Sequence, residues 1–78
     1  MTKRKEIEMR IMVLEESIKG NRADIATMRE RLVSMATNGT DFDITTFCPA
    51  YINDIKDYMA RIQKDTEIIS ALKWAIEE

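Results

Sequence analysis

Isoleucine returns every seven residues on two separate stretches of the chain. The first reads Ile11, Ile18, Ile25, with Leu32 next in line; the second reads Ile55, Ile62, Ile69 and Ile76. A sustained seven-residue apolar repeat marks the seam of a helix packed on another helix. Gly39 and Pro49 punctuate the chain between the two stretches. Two seams joined by one such connection predict an all-α fold, a long antiparallel two-helix hairpin packed like a coiled coil.

The pattern places the first helix over residues 2–36, with Thr2 as its N-cap. Its inward positions alternate by four and three: Ile7, Ile11, Leu14, Ile18, Asn21, Ile25, Met28, Leu32 and Met35. Gly20 interrupts this helix at a cost of about 1 kcal/mol against Ala, marking either a close crossing or a soft spot. Asn38-Gly39 ends it, with Gly39 expected in the left-handed C-cap conformation. Residues 37–48 form the expected connection, in which Phe42, Ile44 and Phe47 fold back to plug the end of the hairpin. Proline suits a first helical turn, because its missing N–H has no partner there. The second helix is therefore expected over residues 49–77, with Tyr51, Ile55, Tyr58, Ile62, Asp65, Ile69, Leu72 and Ile76 inward.

Laid against each other, the seams put Ile11 beside Ile76, Ile18 beside Ile69 and Ile25 beside Ile62. An alternative register, shifted by about half a turn, is equally allowed; Asn21 and Asp65 interrupt one seam each, and in both registers they fall at nearly one height. A shared polar layer of that kind fixes register at a cost in stability.

Seventy-eight residues make one domain, spanning 1–78, and a lone hairpin of that size is marginal. Cys48 is the only cysteine and histidine is absent, so neither an internal disulfide nor the commonest metal ligand can reinforce it. Oligomerisation is the remaining remedy, most simply an antiparallel dimer forming a four-helix bundle. A lone cysteine also suits a reducing, cytoplasmic setting. Lys3, Arg4 and Lys5 are followed by no continuous apolar run, so neither a signal peptide nor a membrane span is expected. Residues 1–36 carry eight basic and six acidic side chains, against four and eight in residues 37–78. Opposite signs suit one helix lying beside the other and argue against a dedicated nucleic-acid binder.

The seams leave apolar residues over. Met9, Met12, Val13 and Val33 remain on the first helix; Ile52, Met59, Ile68, Trp74 and Ala75 remain on the second. A partner-binding face centred on Ile52, Met59, Ile68 and Trp74 is the functional feature this predicts, since large exposed patches are uncommon on monomers.

Other constellations have structural readings. Asp41-Phe42-Asp43-Ile44-Thr45 has a D-x-D-x-T spacing, but no strand precedes it and no closing glutamate follows, so turn and cap chemistry explains it. Asn38-Gly39-Thr40 reads as a turn, and Cys48, with no histidine to serve as base, as a packed thiol. No nucleophile–base pair, metal-ligand spacing or phosphate loop is present, so no enzymatic activity and no cofactor are expected. The function expected is non-catalytic binding, a small inhibitor or adaptor that blocks a larger protein. In size and general look, though by no motif, it resembles the small helical proteins that viruses, phages among them, and mobile elements encode. Two alternatives are an oligomer sequestering an anionic ligand such as a nucleotide, through Arg22, Arg29, Tyr51 and Tyr58, and weak nucleic-acid binding through the basic N-terminal end.

Overall fold

The computed structural model describes residues 2–77 as two helices, α1 (Lys3–Asn38) and α2 (Asp41–Glu77). They lie antiparallel in a rod 57 Å long and 14 Å across in both other directions. At the start of α1, Thr2 is extended and its hydroxyl accepts from the Lys5 N–H at 3.2 Å. Glu6 sits in the first turn, where the helix dipole favours a negative charge.

The connection is shorter than the sequence suggests. Only Gly39 and Thr40 separate the helices, so the expected loop over residues 37–48 is replaced by a two-residue link. The cause is a reciprocal cap. The Asp43 N–H donates to Thr40 Oγ1 at 3.1 Å, while the Thr40 N–H donates to Asp43 Oδ2 at 3.2 Å. That pair nucleates α2 at Asp41, and the helix runs through Pro49 in its interior. Proline removes the bond its N–H would have made to the carbonyl four residues back, a loss the flanking turns outweigh.

Gly39 is also not left-handed; its φ of −79° and ψ of 157° are ordinary extended backbone. Glycine is required there by proximity. Its N–H donates to the Met35 carbonyl at 2.8 Å, and a Cβ would stand 2.5 Å from that same oxygen and 2.9 Å from Met35 Sδ. The expected plug does not form either. Helix α2 carries Phe42 and Phe47 outward, 71% and 44% exposed, while Ile44 and Cys48 join the seam half-buried.

The seam follows the heptads throughout. Every inward position expected on α1, from Ile7 to Met35, is buried or half-buried, as is every one on α2 from Tyr51 to Ile76. Ile11 and Ile69 are the most enclosed apolar residues, 7% and 8% exposed. No atom comes within 4 Å of a Cβ placed on Gly20, so it marks no crossing within the hairpin.

The short link also resets the register. With Asn38 and Asp41 at one end, residues of equal height have numbers that sum to about 80, because both helices rise equally per residue. The expected pairing would set Asp41 about 12 Å beyond Asn38 along the axis, besides a lateral gap of about 8–10 Å. Three Cα steps of about 3.8 Å each cannot span that distance. The seams are therefore shifted by one heptad: Ile11 stands level with Ile69, Leu14 with Asp65, and Asn21 with Tyr58. The single polar layer becomes two polar positions about 10 Å apart along the axis. Among the described residues, side-chain hydrogen bonds join positions three or four apart in the chain and none crosses from α1 to α2, so apolar contact makes the seam.

Candidate interaction surface

An antiparallel hairpin has two flanks beside its seam, each lined by one edge of both helices. The first flank carries Arg22, Arg29 and Ala36 of α1 beside Ile52, Met59 and Thr66 of α2. The second carries Arg10, Ser17, Asp24 and Arg31 beside Phe47, Asp54, Arg61 and Ile68. Both assignments follow from a turn of about 100° per residue along each helix.

This geometry divides the expected partner face. Ile52 and Met59 lie together on the first flank, 45% and 58% exposed. Val33 and Phe42, also exposed, stand one position further from the seam on the same flank. Ile68 comes round about 160° from Ile52, so it falls on the second flank, where it is half-buried. Trp74, 64% exposed, projects from the outer face of α2. The four residues therefore do not share one patch. Spacing by seven kept Ile52 with Met59; Ile68 and Trp74 have no such relation to them.

The second flank holds a groove of about 440 Å³ that both helices line. Arg10, Leu14, Ser17 and Asn21 come from α1, and Arg61, Lys64, Asp65 and Ile68 from α2. The two polar seam residues thus open into one groove although they stand a heptad apart. Asn21 is only 8% exposed, and Asp65 is half-buried. The Arg61 guanidinium lies 5.4 Å from the centre of the Tyr58 ring, within cation–π range.

The residues expected to hold an anionic ligand are not gathered by these surfaces. Arg22 borders a shallow groove with Glu15, Ile18 and Lys19. Arg29 lies along the outside of α1 beside Ala26 and Val33. Tyr51 opens toward Arg31 and Asn38, and Tyr58 sits against Arg61. At the basic N-terminal end, Arg4 Nε pairs with Glu8 Oε1 at 3.2 Å, which spends one of its three charges locally. Asp41 and Asp43 occupy the first turn of α2, where Asp43 serves as cap partner. Among the described residues no group of carboxylates and thiols is placed to hold a metal ion.

Sequence reasoning missed the charge order of the second flank. Arg10, Arg61 and Lys64 lie toward the open end of the hairpin; Asp24, Asp54 and Asp57 lie toward the turn, where Arg31 is the one basic exception on this flank. All seven are exposed. The pattern was present in the heptads but needed the corrected register to align the two helices.

The chain matches no protein-family model, no curated protein and no solved structure. None of its described helices is long and apolar enough to cross a membrane. The surface itself therefore carries the functional argument.

Proposed function

We propose that this chain is a non-catalytic protein-interaction module that self-associates and acts as a small inhibitor or adaptor toward a larger protein. The supporting observation is its uncovered surface. The accessible area is 6136 Å² for 9.1 kDa. A folded monomer of that mass exposes about 4,900 Å² by the usual scaling. The excess, about 1,200 Å², comfortably exceeds the roughly 800 Å² that each partner gives to a standard interface. Self-association on one flank leaves Ile52 and Met59 on the other for a different protein, and exposed methionines adapt to varied partners. A lone thiol in a half-buried seam position suits a cytoplasmic setting.

Light scattering coupled to gel filtration tests this reading. At micromolar concentration the eluting species is expected to have at least twice the chain mass. A monomer that melts cooperatively would remove self-association and leave only a heteromeric partner. No observation favours the ligand-sequestering reading, since its two arginines lie on the first flank while its two tyrosines open toward Arg31 and Arg61 of the second.

A further inference from the structure

We propose that a second copy of this chain docks on the Arg61 flank, end for end, about a two-fold axis crossing the hairpin at its mid-height. This rests on the self-association proposed above and names the face that carries it. A two-fold interface is self-complementary: each residue meets the residue related to it through the axis. Placed at the middle of α2, level with Met59, the axis brings Asp57 against Arg61 of the second copy and Asp54 against its Lys64. Each contact occurs twice. The same rotation sets Phe47, 44% exposed, over Ala71 of the second copy, and Ala50 against its Ile68. Large thus meets small on either side of the charge pairs.

Three further observations agree. Asp54, Asp57, Arg61 and Lys64 are all exposed, and the one ion pair among the described residues is Arg4–Glu8, so none of the four is held in an ion pair there; Arg61 lies only over the Tyr58 ring. Gly20 lies at the outer edge of this flank near the middle of α1, and a Cβ there would meet nothing within 4 Å. Lacking a side chain at the crossing, the two α1 helices can approach closely. The reverse arrangement, with both turns at one end, would bring basic end to basic end and acidic end to acidic end. Two contacts oppose the pairing: Arg10 falls near Arg31 of the second copy, and the same rotation repeats the contact. All of these charges are exposed, so each contact is individually small, and the four attractive contacts outnumber the two repulsive ones.

The test is a charge exchange. One variant carries Asp54→Lys and Asp57→Lys, a second carries Arg61→Glu and Lys64→Glu, and a third carries all four changes. Each two-site variant alone is expected to dimerise at least tenfold more weakly than the wild type. Mixing the two should restore a one-to-one dimer, and the four-site variant should dimerise alone. Sedimentation equilibrium reads mass, and far-UV circular dichroism reads helix. A two-site variant that loses helix alone and regains it on mixing supports the pairing equally. If both two-site variants dimerise as the wild type does, this face is wrong while self-association stands. If they dissociate and neither mixing nor the four-site variant restores a dimer, the antiparallel charge pairing is wrong. A wild type that stays monomeric overturns both proposals.

Discussion

Gly39 and Pro49 govern the end of the hairpin in opposite senses. At Gly39 a methyl group would collide with the backbone oxygen of Met35 at 2.5 Å, which cannot swing aside as a side chain can. Gly39→Ala is therefore expected to destabilise the fold by roughly 1–3 kcal/mol, seen as a lower urea midpoint at unchanged slope. Pro49 lies on the exposed side of α2 and contributes no donor. Pro49→Ala restores the missing helical bond without opening a cavity, so it should stabilise by up to about 3 kcal/mol. A midpoint that falls on this change would mean that the proline serves α2 in a way its exposure does not reveal.

At the scale of the helices, the register makes a prediction of its own. Ile11 and Ile69 stand level and are the most enclosed apolar residues of the seam. Truncating either to Ala should cost about 2–5 kcal/mol. Because they share a layer, their effects should couple, with an interaction energy of roughly 0.5–3 kcal/mol in a double-mutant cycle. Ile11 and Ile76 stand about a heptad apart and should add to within about 0.5 kcal/mol. Coupling of Ile11 to Ile76 in place of Ile69 would contradict the two-residue turn. The seam itself was readable from the heptads, down to Asn21 and Asp65 as its polar members. The turn was not, because proline ordinarily occupies a helix's first turn, whereas here Pro49 lies inside α2. The competing signal, Thr40 three residues before Asp43, is a capping pair that uses Asp where Glu is usual. That one misplacement moved the register by a heptad and hid the charge order of the second flank. The exposed residues Ile52, Met59 and Trp74 were visible as leftovers of the repeat. Their division between faces was not, since it depends on the angle accumulated along the helix.

For the molecule as a whole, two helices in a rod 14 Å across cannot enclose a core. Even the seam isoleucines Ile25 and Ile62 remain half-buried. A fold that gains its missing burial from a second copy has a stability tied to concentration. The thermal midpoint is therefore expected to rise with protein concentration, and helix content to fall on dilution below the dissociation constant. Added salt should lower that midpoint, because exposed charge pairs across the interface are screened. Sedimentation equilibrium of the wild-type chain over a wide concentration range tests the completion of the hairpin by a second copy most directly. The expected result is a reversible monomer–dimer equilibrium reaching about twice the 9.1 kDa chain mass at micromolar concentration. A constant mass of 9.1 kDa at every concentration, with full helix retained, would contradict it.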